Sequence, residues 1–136
     1  MALMTWTDKL SVGVGVIDDD HKKLVGMINE LYEAMQAGHG KEKLGRILDE
    51  LVQYTKFHFA REEKLFVETG YPAAGPHKQQ HEALTRQVLD VQKKYNAGAT
   101  TTLSVDVIQF LKNWLITHIQ GSDQSYRPHL NSKGIH

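Results

Sequence analysis

The segments His58-Phe59-Ala60-Arg61-Glu62 and His77-Lys78-Gln79-Gln80-His81 each place two metal-binding residue types four positions apart. On an α-helix that spacing stacks both side chains on one face, so each pair can grip the same metal ion or two adjacent ones. His118 and Asp123 are five apart, which on a regular helix turns them roughly 140° away from each other. Gly121 lies between them. A local widening or the end of the helix there would bring Asp123 back toward the face of His118. With His21 the candidate ligand set is His21, His58, Glu62, His77, His81, His118 and Asp123, which four helices could point at one centre.

The residues around these segments predict those helices. After a Gly- and Val-rich arm, Met1 to about Ile17, Asp18-Asp19-Asp20 offers an N-cap and first-turn acids for a first helix. Its apolar stripe is Leu24, Val25, Ile28, Leu31, Tyr32 and Met35, and three residues before Leu24 stands His21. Gly38-His39-Gly40 ends it. A second helix from about Lys41 carries Leu44, Ile47, Leu48, Leu51, Tyr54 and Thr55, and the same stripe continues through His58, Glu62 and Leu65. Gly70-Tyr71-Pro72 is a break, and Pro76 suits a helix start because its missing N–H costs nothing there. The third stripe reads His77, His81, Leu84, Val88, Val91 and Tyr95, closed by Asn96-Ala97-Gly98. Ser104 or Asp106 can cap a fourth helix with Ile108, Leu111, Leu115 and His118 inward, Trp114 and Ile119 alongside.

Four amphipathic segments joined by short turns predict an all-α fold, an antiparallel up-down-up-down four-helix bundle with an irregular N-terminal arm. The expected organisation is one domain over 1–136, with the arm at 1–17, the bundle at 18–123 and a polar tail at 124–136 that frays. Alternate helices run in opposite directions. Ligands that open the first and third helices therefore meet ligands that close the second and fourth.

Composition narrows the chemistry. The 136 residues contain 16 basic and 16 acidic side chains, with no basic stripe to condense on phosphates, so nucleic acid is not an expected partner. There is no cysteine, which excludes disulfides, iron–sulfur ligation by thiolate and cysteine nucleophiles. No leader of charge followed by an unbroken apolar run opens the sequence, and no stretch of about twenty apolar residues occurs, so membrane insertion is not expected and a cytoplasmic location is.

One histidine on an apolar stripe is more often a satisfied core residue than a ligand. A buried carboxylate is different, because Glu62 must pair, protonate or bind metal. Five imidazoles and two carboxylates at one level of a bundle cannot satisfy one another by hydrogen bonds. By contrast, His39, His129 and His136 read as surface residues, Glu63 as a solvated acid off the stripe, and the basic 41–46 run as a solvated face. If both carboxylates bridge two six-coordinate ions and a hydroxide or oxide bridges as well, one coordination position stays open for a small ligand. Zinc prefers closed tetrahedral sites and calcium prefers oxygen, whereas imidazole with carboxylate and a vacancy suits iron, with manganese as the alternative.

These motifs resemble the hemerythrins, specifically the single-domain bacterial kind. The resemblance is carried by Trp6, by IDDDHKKL at Ile17 to Leu24, HFAREE at His58 to Glu63, HKQQH at His77 to His81, and WLITHIQGSD at Trp114 to Asp123. It implies two iron ions with a bridging hydroxide or oxide. His77, His81 and His118 would complete one iron, His21 and His58 would hold the other, and Glu62 and Asp123 would bridge both. It also implies reversible dioxygen binding at the iron with two histidines, in a pocket walled by Leu24, Phe59, Trp114, Leu115 and Ile119. Gln124-Ser125 stands where relatives often show a lysine before the tyrosine, here Tyr126. The expected role is oxygen transport, storage or delivery to an oxygen-consuming enzyme, with a monomer compatible with the neutral, compact bundle. The competing roles are an oxygen or redox sensor and a low-turnover di-iron enzyme acting on peroxide or nitric oxide.

Overall fold

The computed structural model of the chain describes residues 4–38, 41–98 and 105–136, with backbone alone at 41–42 and 105–107. His39, Gly40 and Ser104 lie outside the described residues. Among the described residues run four long helices, α1 (Gly15–Gln36), α2 (Lys41–Thr69), α3 (Ala74–Asn96) and α4 (Val105–His118). α1 packs on α2 and α4, and α2 on α3. The all-α four-helix bundle is the architecture that the periodicity predicts. The inward stripes are buried as read, with Leu24, Ile28 and Leu31 of α1, Ile47, Leu48 and Leu51 of α2, Leu84 and Val88 of α3, and Ile108, Leu111 and Leu115 of α4 in one core. Full burial of one such side chain contributes about 1.5–3 kcal/mol. Gly70 closes α2 at a φ of 68°, a left-handed conformation that glycine adopts without a Cβ penalty. Pro76 falls in the first turn of α3, where no N–H is required. No described helix is long and apolar enough to cross a membrane.

Both ends of the chain correct the reading. α1 starts at Gly15, three residues before the acids, and its cap position is Val14 without a side-chain cap. Asp18 is therefore not the cap. Its carboxylate turns back on the arm, accepting from Val12 N–H at 2.8 Å and from the Ser11 hydroxyl at 2.6 Å. The arm is not merely irregular: Asp8–Leu10 is a 3-10 turn, and Met4, Leu10, Val12 and Val14 belong to the core. Asn29 clamps it further, accepting from Met4 N–H and donating to Met4 C=O. Asp106 lies inside α4 and does not precede it.

The tail does not fray. A turn of i→i+5 bonding covers Ile119–Asp123, followed by a 3-10 turn at Gln124–Tyr126 and a short helix, α5 (Arg127–Ser132). Two residues explain this order: Tyr126 and Leu130 are fully buried, and the polar composition of 124–136 hides them. His129 is likewise tied down, its Nε2–H donating to Thr69 C=O at 2.8 Å.

Candidate metal centre

His21 on α1, His58 and Glu62 on α2, His77 and His81 on α3, and His118 on α4 meet with Asp123 at one end of the bundle, all seven buried. The widened turn at Ile119–Asp123 is what admits Asp123. Its Gln124 N–H bonds to Ile119 C=O, five residues back, and this wider turn swings residues five apart closer to a common face. Two overlapping donor groups result, Glu62 with His77, His81, His118 and Asp123, and Glu62 with His21, His58 and Asp123, each with its donor atoms within 4.8 Å of one another. Both carboxylates are common to the two groups.

The distances show how Asp123 divides. Its Oδ1 is 2.8 Å from His77 Nε2 and 3.0 Å from His118 Nε2, and its Oδ2 is 3.2 Å from His21 Nε2. Glu62 Oε1 lies 3.0 Å from His81 Nε2 and 3.6 Å from His58 Nε2. Short as these approaches are, Nε2 of His21, His77, His81 and His118, Glu62 Oε1 and both Asp123 oxygens form no aligned hydrogen bond, nor does His21 Nδ1. Native interiors rarely leave one polar group unsatisfied. Seven such atoms converging on shared points fit metal ions, which imidazole nitrogen and carboxylate oxygen would hold.

Electrostatics point the same way. Burial and the Asp123 charge work to raise the Glu62 carboxyl, but His58, His77 and His81 outweigh them and hold it low. Burial likewise opposes ionisation of Asp123, and His118, His21 and His77 overcome it, leaving its pKa well below the usual carboxylate range. Burial would lower His77, yet Asp123 and Glu62 raise it to about 9. His21 is raised too, against burial, by Asp123 and Glu62. Below about pH 9 a metal ion must therefore displace a proton from His77. Anaerobic ferrous titrations at pH 6 and pH 8 are expected to show the apparent affinity rising with pH, by about tenfold per pH unit for each proton displaced. Calorimetry in buffers of different ionisation enthalpy reads that proton release directly, and a pH-independent affinity would show that the imidazoles do not take up the metal.

Three partners of the cluster were missed from sequence. Asp20, read as a helix-start acid, accepts from His58 Nδ1–H at 3.0 Å. Glu63, read as solvated, accepts from His81 Nδ1–H at 3.1 Å and is only half-exposed. Tyr126 donates its hydroxyl to Glu62 Oε2 at 2.6 Å, and burial beside Glu62 and Asp123 holds its pKa well above the phenol range, so it stays a donor. The available signal was adjacency: Asp20 and Glu63 each neighbour a ligand-type residue, and Tyr126 stands three residues beyond Asp123.

The expected apolar walls sit against the cluster. Phe59 stacks on the His81 ring at 3.8 Å between centroids and Trp114 on His118 at 4.4 Å. Leu24, Phe59, Trp114 and Leu115 line a cavity of about 30 Å³ inside the bundle. Ile119, fully buried, is not among its lining residues. The one hydroxyl on the wall, Thr55, donates to Leu51 C=O at 2.7 Å.

A helical bundle with buried imidazoles and two shared carboxylates at one end defines a protein built to hold metal ions between its helices. The hemerythrin HHE cation-binding domain matches residues 12–130, and the chain belongs to that family. It is 38% identical over 135 residues to a bacteriohemerythrin of Stenotrophomonas maltophilia, covering 96% of this chain and 86% of the relative. A bacteriohemerythrin of Methylococcus capsulatus is 37% identical over 133 residues, covering 97% of this chain and all of the relative. A crystal structure of wild-type hemerythrin superposes with a TM-score of 0.86 at 37% identity, over 95% of this chain and 98% of the other. The family binds a di-iron centre, and the sulfur-free donor set here fits it. The chain is thus a di-iron, oxygen-binding protein.

Proposed function

We propose that the chain binds dioxygen reversibly as a carrier or store, or delivers it to an oxygen-consuming enzyme, and does so as a single cytoplasmic domain. In this reading His77, His81 and His118 would hold one iron and His21 and His58 the other, with Glu62 and Asp123, which belong to both donor groups, serving both. Dioxygen would bind on the side of the centre that His21 and His58 hold. The bound pair of ferrous ions supplies the electrons that oxygen binding requires. The protein's part is to hold the donors, exclude water and withhold protons.

The observation that carries this reading is the apolar cavity whose walls Phe59 and Trp114 stack on the His81 and His118 rings of an imidazole-rich cluster. Leu24, Phe59, Trp114 and Leu115 line it with largely apolar surface, and the hydroxyl of Thr55 on the same wall is committed to a backbone carbonyl. Slow proton delivery disfavours release of reduced oxygen and so favours carriage over turnover. Imidazole-rich ligation supports the same choice, because di-iron oxidation chemistry in bundles typically uses carboxylate-rich sites.

Anaerobic reconstitution with ferrous iron, followed by visible absorption through repeated addition and removal of oxygen, tests the proposal. A visible band that appears and disappears over several cycles, on a sample with two irons per chain by elemental analysis, is the expected result. Prompt irreversible conversion to the diferric form would favour a sensor or an enzyme instead.

A further inference from the structure

Two of the imidazoles are backed by a carboxylate on the ring nitrogen turned away from the cluster, and the two carboxylates are not equivalent. Asp20 stands behind His58 and Glu63 behind His81. Asp20 is 5% exposed and takes two further donors, the Tyr54 hydroxyl at 2.7 Å and Arg61 Nε at 3.4 Å. Glu63 is 28% exposed, on the wall of an open groove between α2 and α3 that Lys56 and Arg86 also line, and has His81 as its one partner among the described residues.

We propose that Asp20 is a positioning residue of the metal centre, locking the His58 ring with Nε2 toward the cluster and strengthening it as a donor, while Glu63 does the same for His81 only weakly. An ionised carboxylate can only accept, so the proton of the neutral His58 ring resides on Nδ1 and the Nε2 lone pair is left for metal. A carboxylate behind a ligand imidazole also raises the ligand's basicity, and its loss typically costs 10–100-fold in metal affinity. Tyr54 holds the other carboxylate oxygen and Arg61 pairs with the one that His58 uses, so the orientation of Asp20 is set before any metal arrives. Little water reaches Asp20 to screen its charge, whereas Glu63 faces solvent. A stronger donor favours the more highly charged state of the ion it holds. Asp20 thus biases the centre formed by His21 and His58, which the functional reading above, on which this inference rests, assigns as the oxygen-binding one.

Cobalt(II) titration followed by its visible ligand-field bands, with the reduction potential of the iron-loaded form measured in parallel, tests this in the full chain. Asp20→Ala is expected to weaken the binding step of one of the two metal ions by about 10–100-fold. Asp20→Asn keeps an oxygen that can accept from His58, so it should weaken that step less and still raise the potential, because the charge is gone. Glu63→Gln should stay within about threefold of the parent, as solvent already screens that carboxylate. Parent-like affinity and potential in Asp20→Asn together with parent-like affinity in Asp20→Ala would overturn the proposal, as would a larger effect from Glu63→Gln. If Asp20→Ala does not fold, the Asp20→Asn potential decides. Failure of the parent to cycle oxygen would defeat the functional reading and leave the cobalt result standing.

Discussion

Glu62→Ala is expected to lose bound iron, falling from two ions per chain toward none when reconstituted protein is desalted and analysed for metal, and Asp123→Ala should do the same. Each carboxylate belongs to both donor groups, so removing either strips a ligand from both ions at once. Each is fully buried, and no described acid stands ready to replace it inside the cluster. The affinity loss should exceed about a hundredfold, the upper range for groups that touch a metal only through another ligand. Glu62→Ala also leaves the buried Tyr126 hydroxyl without its acceptor. Part of its cost is therefore structural, and circular dichroism on the same sample separates the two effects. Two irons retained in both variants would end the bridging assignment.

Removing the metal from the unmodified chain should destabilise it markedly. Seven buried polar atoms of the cluster that face the shared points lack hydrogen-bond partners among the described residues, and a buried unsatisfied group costs about 1–3 kcal/mol. A ligand present at a thousand times its dissociation constant stabilises by about 4 kcal/mol per site, which for a domain of this size corresponds to a shift in Tm of about 10 °C or more. Thermal melts with and without a ferrous chelator measure it. The metal-free bundle should remain helical, because protonation of His77, whose pKa rises to about 9, converts part of the cluster into ion pairs with Asp123 and Glu62. A Tm unchanged by chelation would mean that these imidazoles and carboxylates satisfy one another without metal.

The four helices and the level at which they bring His21, His58, Glu62, His77, His81 and His118 together were legible in the sequence, because a 3.6-residue period assigns a face to every position and alternation of direction assigns an end to every helix. Asp123 was legible only as an exception to that period. Its five-residue offset called for a local change in winding, and the structure supplies one at Ile119–Asp123.

What periodicity cannot encode is how one helix is rotated and shifted against the next. That relation decided that Asp20 on α1 stands behind His58 on α2, and that Glu63, one position off the apolar stripe, reaches His81 on α3. It also decided the fate of the two ends. Gly- and Val-rich composition predicts an irregular arm and polar composition a fraying tail, yet Val12 and Val14 at one end and Tyr126 and Leu130 at the other each fill part of the core. A few apolar residues in a short segment without regular spacing carry no period to read. The sequence by itself determined the bundle and which donors share one end of it, since both follow from local geometry repeated along each helix. Only the tertiary structure decided which carboxylates brace which imidazoles and how the ends close over the site, since those depend on contacts between residues far apart in the chain.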